Sequence, residues 1–266
     1  MKIWYQTMSP YRYDPDFDEY GKTIEEQCKR ASRPGTEVYV EGVSVFMPEI
    51  DRFKSLMYYH TSQTVNQMLK AEKKGYDAFI NGCSFDTAVD EGREMLSIPV
   101  VGIAHTNLHI AAMLGELFTI VTCEPYIAER YRQLIVRYGL QSKYLQGNYV
   151  FPIIEPDIAR ALKEPEPLAE KFKAVAEKAV ADGASVIIPI PVHISQLFYK
   201  IGGLTNLNGA LVLDPIAVAV KFAEMLVDLK KLGIEFSKTF QVYASPGRDL
   251  LMKAREMYAK VFKIEY

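Results

Sequence analysis

Short apolar runs alternate along the chain with longer stretches in which apolar residues recur every three or four positions. Runs rich in Val, Ile and aromatic residues are typical of buried strands, and the longer period is typical of helices. Strands are predicted at residues 2–7, 37–43, 78–81, 100–103, 118–122, 144–150, 186–190 and 210–213. Helices are predicted at residues 23–31, 65–74, 87–95, 127–138, 168–181 and 216–232. This alternation predicts an α/β fold of parallel sheets flanked by helices.

The two halves of the chain carry similar segments in the same order. The matched pairs are residues 9–11 with 124–126, 42–46 with 147–151, and 74–80 with 182–188. Any two βα units look alike to some degree, but three matches in one order indicate an internal duplication. We therefore expect two pseudo-symmetric lobes, residues 1–114 completed by 216–266 and residues 115–215, with an active-site cleft between them. In this alignment Pro191 falls at the position of Cys83.

Composition narrows the class of protein. The 49% hydrophobic and 24% charged residues are ordinary for a soluble globular chain, and the net charge of −2 argues against nucleic acid or an anionic membrane as partner. No apolar run approaches the roughly 18 residues of a membrane span, and residues 1–7 turn polar too early for a signal peptide. Three widely spaced cysteines fit neither a disulfide framework nor a zinc site. A reduced, cytoplasmic protein is expected, and a homo-oligomer is compatible with these features, since dimers are the commonest soluble assembly.

The strand-end loops hold the side chains with the most chemistry. Ligands of parallel sheets bind beyond the carboxyl ends of the strands. The loops there contain Ser9, Gly82-Cys83-Ser84, Thr122-Cys123 and Pro191-Val192-His193. Cys83 lies between a strand and a predicted helix whose N-cap would be Ser84 or Asp86. Backbone N–H groups and the helix dipole would therefore favour a thiolate at Cys83. A buried structural cysteine is an equally good interpretation from these residues alone.

Longer segments resemble a known family. They are residues 83–94 followed by Ser97-Ile98-Pro99-Val100-Val101-Gly102-Ile103, residues 118–122, and Val212-Leu213-Asp214-Pro215 before the predicted helix 216–232. These segments resemble the hydantoin racemase branch of the aspartate/glutamate/hydantoin racemase superfamily, which includes arylmalonate decarboxylase and maleate isomerase. The resemblance implies a two-lobed enzyme without cofactor or metal. It also implies that a cysteine from each lobe faces the α-carbon of a small carbonyl or carboxylate substrate.

The sequence departs from that pattern at the second cysteine. Cys83 matches the first position, but Pro191 occupies the second, and His193 lies where glutamate racemases carry a histidine. The resemblance therefore implies proton transfer by a single catalytic cysteine, Cys83, with His193 as a candidate second acid or base. A racemase or isomerase is the first expectation. A decarboxylase or other lyase that uses Cys83 as its acid is the alternative, and a non-catalytic binding protein is the rival from another class.

Removing a proton next to a carbonyl builds an enolate, whose charge requires pre-placed donors. Ser84, Thr87 and the backbone around Gly82 are candidates from the first lobe. Thr122 and Tyr126 are candidates from the second, Tyr126 by its match to a substrate-contacting tyrosine of the decarboxylase branch. Ser9, Cys123, Pro191 and Val192 are expected to line the cleft. Each also has a structural interpretation, as a cap, a turn or a buried side chain. His105 and His109, four residues apart, lack a third metal ligand.

Overall fold

The protein is represented by a computed structural model that describes residues 1–47, 50–152, 161–238 and 244–262, with side chains as far as residue 257. Two four-stranded sheets, A and B, organise the chain, and helices flank each of them. The predicted α/β class is confirmed. No helix in the described part of the chain is both long and apolar enough to cross a membrane.

Sheet A is entirely parallel, with strand order β2-β1-β3-β4. The strands are β1 (Lys2–Gln6), β2 (Glu37–Glu41), β3 (Ala78–Asn81) and β4 (Val100–Gly102). All residues of the central strand β3 and of the edge strand β4 are buried, as expected of parallel strands that are covered on both faces. The helices of this part are α1 (Asp18–Ala31), α2 (Lys54–Lys73), α3 (Val89–Met95) and α4 (Ile103–Leu114).

Sheet B has the order β5-β6-β8-β7, and only its edge pair β7–β8 is antiparallel. Its strands are β5 (Phe118–Val121), β6 (Val186–Pro189), β7 (Asn206–Leu207) and β8 (Ala210–Val212). The further helices that the structure describes are α5 (Pro125–Arg137), α6 (Glu166–Ala181), α7 (Val192–Lys200), α8 (Pro215–Lys231) and α9 (Arg248–Phe262). The predicted strand at 144–150 is not continuous, because only Tyr144 and Val150 form isolated bridges to β5 and to Thr122.

Helix α8 follows sheet B in the chain but packs against sheet A. Its residues Ile216, Val220 and Val227 belong to the same buried cluster as Ile3 and Ile80 of sheet A. Asp214 caps the helix by accepting hydrogen bonds from the backbone N–H groups of residues 216 and 217, both at 3.1 Å. The chain therefore passes from sheet A to sheet B and returns to sheet A through α8.

Candidate active site

The loops that follow β1 and β3 lie side by side at the carboxyl edge of sheet A. Gln6 pairs with Asn81 at the ends of these strands, and the Gly82 N–H continues the ladder by donating to the Gln6 carbonyl at 2.8 Å. A Cβ atom at Gly82 would lie 2.6 Å from that carbonyl oxygen and 2.7 Å from the Tyr5 ring. Only glycine fits this close approach, which sets the position of Cys83.

The loops that follow β5 and β6 form the corresponding edge of sheet B. Val121 pairs with Pro189, and the Ile190 N–H donates to the Val121 carbonyl at 3.0 Å. Two residues beyond this pair the chain leaves both strands, with Cys123 in a bend and Pro191 as the N-cap residue of α7. Thr122 is held by its backbone, whose N–H donates to the Tyr149 carbonyl at 3.1 Å.

The two carboxyl edges meet through side chains and backbone. The Val192 N–H donates to the Ser84 hydroxyl at 3.4 Å, which joins the loop after β6 to the loop after β3. The Tyr126 hydroxyl donates to the Asp51 carboxylate at 3.2 Å, and the Tyr126 ring lies 6.5 Å from the ring of Phe85. The structure therefore brings the predicted residues of the two loops after β3 and β6 together, with Tyr126 beside them.

The Cys83 thiol is enclosed, with 3% of the residue exposed. The Asn81 side chain accepts from the Cys83 N–H at 3.1 Å, and the Phe85 N–H donates to Sγ at 3.4 Å. Burial raises the pKa of the Cys83 thiol, while hydrogen bonds from Thr87 and Phe85 act in the opposite direction. The thiol is therefore protonated in this closed arrangement.

The predicted helix N-terminus next to Cys83 is wrong in position. Helix α3 begins at Val89, six residues after the cysteine, and Ala88 in front of it is in the left-handed region. Asp86 instead turns away and caps α4, accepting from the N–H groups of Ala104 at 2.9 Å and His105 at 2.6 Å. The donors around the Cys83 thiol are thus those of its own tight turn, not those of a helix end.

Asp51 is a site residue that the sequence did not indicate. It is half-buried in the loop between β2 and α2, and burial raises its pKa although Tyr126, Arg130 and Arg52 lower it. Burial is the main cause that raises the pKa of both the Cys83 and the Cys123 thiols, and the negative charge of Asp51 adds to it. A carboxylate therefore lies near the cysteines of both edges. No local sequence pattern signals it, because its partner Tyr126 is 75 positions away.

The remaining predicted residues lie at the same edges and are nearly inaccessible. Thr122 is 0% exposed, Cys123 4% and Ser9 6%. Among the described residues, the Thr122 hydroxyl and the His193 Nε2 are buried and find no partner with good hydrogen-bond geometry, although the Thr122 side chain lowers the pKa of the adjacent Cys123 thiol. Burial lowers the pKa of His193 to about 4, so its imidazole is neutral. The Ser9 hydroxyl shares a hydrogen bond of 3.2 Å with the Thr7 hydroxyl.

Histidines elsewhere do not form a metal site. His105 and His109 stack on α4 with ring centroids 4.3 Å apart. Within the part of the chain that the structure describes, no group of three or more His, Cys, Asp or Glu side chains is arranged to hold a metal ion.

Comparisons with known proteins place this architecture in a family. The family model for Asp/Glu/hydantoin racemase matches residues 18–223. A hydantoin racemase of Pseudomonas sp. (strain NS671) is 29% identical over 240 residues, covering 90% of this chain and 92% of its own. Among solved structures, allantoin racemase from Pseudomonas fluorescens has a TM-score of 0.75 at 22% identity and covers 92% of this chain and 97% of its own. The allantoin racemase from Klebsiella pneumoniae has a TM-score of 0.72 at 24% identity, covering 93% and 94%. The chain belongs to the Asp/Glu/hydantoin racemase family.

Proposed function

We propose that this protein is a cofactor-independent racemase that moves a proton at a carbon next to a carbonyl group, with Cys83 as an acid and base. The substrate class we propose is a 5-substituted hydantoin, by analogy with the hydantoin and allantoin racemases that the chain is similar to. The single observation that carries the proposal is the placement of the Cys83 thiol in an enclosed turn where the edges of sheets A and B meet.

The chemistry follows from the groups around this thiol. Removing the proton from C5 of a hydantoin sends the electron pair toward the adjacent carbonyl and produces an enolate. Donors aimed at that oxygen stabilise the transition state. The Thr122 hydroxyl supports this role, since it is buried and interacts only weakly with the adjacent Cys123 thiol among the described residues, so a substrate oxygen would satisfy it. Ser84 and Tyr126 lie at the same junction and are proposed as further substrate contacts, together with Ser9, Thr87, Val192 and the backbone of Gly82.

Racemisation needs a second group on the opposite face of the substrate carbon. The edge of sheet B must supply it, because Cys83 belongs to sheet A. His193 is the residue that the family resemblance suggests, and Cys123 is a second titratable side chain at this edge. The proposed function holds with either of them.

The low exposure of the site implies that substrate enters when the two edges separate. In the closed state the protein then excludes water, which strengthens hydrogen bonds to the developing charge. Burial raises the pKa of Cys83, which keeps the residue a thiol in this state and makes its thiolate a stronger base, and hydration on opening brings the pKa back toward its ordinary value.

The test is α-proton exchange in deuterated water. Each enantiomer of 5-benzylhydantoin and of allantoin would be incubated with enzyme, and loss of the C5 proton signal followed by NMR against a blank without enzyme. We expect exchange by the wild type, its reduction by about 10²–10⁴-fold in Cys83→Ala, and near-normal rates in the matched control Cys28→Ala. Equal rates in wild type and Cys83→Ala would refute the role of Cys83. Binding of hydantoin without exchange would instead indicate a non-catalytic protein.

A decarboxylase is the second candidate, and Pro191 is the observation that favours it. Protonating a carbanion after loss of carbon dioxide requires one acid, so a site with Cys83 at one position and Pro191 at the other is sufficient. Incubation with a 2-aryl-2-methylmalonate distinguishes the two activities. Release of carbon dioxide that depends on Cys83, without racemisation of hydantoins, would establish the lyase in place of the racemase.

A further inference from the structure

We infer that Asp86 is a positioning residue of this site, because its buried carboxylate ties the turn that carries Cys83 to the start of α4 and to the end of α5. The inference rests on the proposed racemase function, since it concerns the geometry of the thiol that this function uses. It also gives Asp86 a different role from the helix N-cap beside Cys83 that the sequence predicted.

The turn after β3 has a backbone that needs support from its surroundings. Asp86 and Ala88 both lie in the left-handed region, with φ values of +52° and +65°. Residues with a side chain adopt this conformation uncommonly, and they keep it where neighbouring groups hold them in place. The Asp86 N–H donates to the Cys83 carbonyl at 3.1 Å, so the turn that starts at Cys83 closes on Asp86. A group that fixes Asp86 therefore also fixes the backbone of Cys83.

Two buried side chains hold this turn, and they act in different directions. Asn81 accepts a hydrogen bond from the Cys83 N–H at 3.1 Å and donates one to the Thr87 carbonyl. These two bonds tie the turn to its own strand, since Asn81 is the last residue of β3. The bonds of the Asp86 carboxylate lead away from the strand and reach two helices.

Three donors converge on the Asp86 carboxylate. Oδ1 accepts from the Ala104 N–H at 2.9 Å, and Oδ2 accepts from the His105 N–H at 2.6 Å and from the Tyr138 hydroxyl at 2.8 Å. Burial raises the pKa of Asp86, while these three donors and the charge of Arg93 lower it. An ionised carboxylate matches this environment, because it only accepts hydrogen bonds and every group that bonds it is a donor.

The carboxylate lies in a space that excludes other contacts. A Cβ atom at Gly102, the N-cap residue of α4, would lie 2.5 Å from the Asp86 Oδ1. Asp86 is 6% exposed, and both of its oxygens already accept hydrogen bonds from the protein. We therefore assign Asp86 no contact with substrate. Its effect on the reaction passes through the position of the Cys83 turn.

Tyr138 extends this support to the other sheet. It is the C-cap residue of α5, a helix whose Tyr131 belongs to the buried cluster of sheet B. The neighbouring Arg137 forms an ion pair with Asp90, in the first turn of α3. The end of α5 thus contacts the segment after Cys83 twice. The position of a thiol on sheet A therefore depends on a helix of sheet B, through the bond between Tyr138 and Asp86.

Asp86→Asn tests the inference by steady-state kinetics. The variant keeps the size of the side chain, but its NH2 group would face a donor in place of one carboxylate oxygen. Moving a reacting group by about 1 Å lowers rates by about 10²-fold. We expect kcat for racemisation of 5-benzylhydantoin, followed by chiral chromatography, to fall by about 10²-fold. KM should stay within about threefold of wild type, because Asp86 does not contact the substrate.

Asp214→Asn is the matched control. Asp214 caps α8 as Asp86 caps α4, accepting from the N–H groups of residues 216 and 217 at 3.1 Å, but it lies outside the Cys83 turn. Both variants should melt below wild type, since each loses part of a helix cap. The control should keep kcat within about twofold of wild type. Wild-type kcat in Asp86→Asn, or an equal loss of kcat in both variants, overturns the inference.

Alkylation gives a readout that does not depend on activity. Iodoacetamide labelling of each cysteine would be followed by mass spectrometry, with Cys28 as the internal reference because it is fully buried in the core and reports unfolding of the whole protein. We expect the ratio of Cys83 to Cys28 labelling rates to rise about tenfold in Asp86→Asn and to stay within about twofold in Asp214→Asn. A merely structural role of Asp86 would speed both labels together, and an unchanged ratio overturns the inference.

Tyr138→Phe keeps the inference testable if Asp86→Asn does not fold. It removes one of the three hydrogen bonds to Asp86 and keeps the ring that packs against His105 at a centroid distance of 5.0 Å. We expect a fall in kcat of about tenfold and a higher labelling ratio. Wild-type values of both quantities overturn the inference. Absence of racemisation by the wild type would refute the racemase function alone, and the labelling ratio would still decide whether Asp86 holds the thiol.

Discussion

Gly82 offers the sharpest test of how the fold positions the Cys83 thiol. In Gly82→Ala the added methyl group would lie 2.6 Å from the Gln6 carbonyl oxygen and 2.7 Å from the Tyr5 ring. Both neighbours belong to β1, so β1 and β3 must separate at their carboxyl ends. Overpacking of this kind lowers the free energy of unfolding by about 1–3 kcal/mol. We expect a value near about 3 kcal/mol, because one of the two contacts is with a backbone atom. Moving a reacting group by about 1 Å also lowers rates by about 10²-fold.

The expected change in melting temperature follows from chain length. The unfolding entropy is about 2.1 cal/mol/K per residue. For a chain of 266 residues, each kcal/mol lost from the free energy of unfolding therefore lowers the melting temperature by about 1.8 °C. Gly82→Ala should therefore melt about 5 °C below wild type by circular dichroism, and its hydantoin exchange should fall by about 10²-fold.

Gly75→Ala is the matched control, because its Cβ would meet no atom within 4 Å but its φ is +75°. Backbone strain should lower its melting temperature by about 2 °C and leave exchange within about twofold of wild type. The reasoning fails if Gly82→Ala melts and exchanges like wild type, or if Gly75→Ala loses as much activity as Gly82→Ala does.

Three further predictions concern titrating groups. Tyr126→Phe removes a hydrogen bond that lowers the pKa of Asp51, so this pKa should rise; a carboxyl NMR titration that shows no upward shift would contradict the contact. Burial lowers the pKa of His60 from 6.5 to about 4, so His60 stabilises the fold above pH 6.5 and this contribution, about 3 kcal/mol, is lost as the pH falls toward 4. In His60→Leu the free energy of unfolding, measured in urea, should therefore depend less on pH in this range. An unchanged pH dependence would contradict this role of His60. Since burial raises the pKa of Cys83, iodoacetamide should alkylate it more slowly than free cysteine at pH 7.5 and faster as the pH passes 9; rapid labelling at neutral pH would show that the thiol is not enclosed.

Strands with strong apolar runs were predictable, but α4 and α7 were not. Helix α4 is apolar on most of its surface because it packs between other elements, so it lacks the one-sided pattern of a surface helix. Its N-cap residue Gly102 has no side chain, and the capping carboxylate comes from Asp86, which precedes the helix by more than 15 residues. A cap supplied across the fold leaves no local signal.

The candidate site divides in the same way. Cys83 was predictable because its strand, its turn and its family resemblance are all local in sequence. Asp51 was not, since its relation to Tyr126 and to the two thiols exists only after the edges of sheets A and B meet.

The return of α8 to sheet A has a consequence for synthesis of the protein. One face of β1 and β3 is covered by Ile216, Val220 and their neighbours, which the ribosome adds only after all of sheet B. Sheet B can therefore form while the first-made strands still expose apolar surface, the reverse of the usual N-terminal-first order. A chain that ends at residue 214 should leave sheet A open to proteolysis and aggregation while sheet B resists both, and limited proteolysis of such truncated chains would reveal the order.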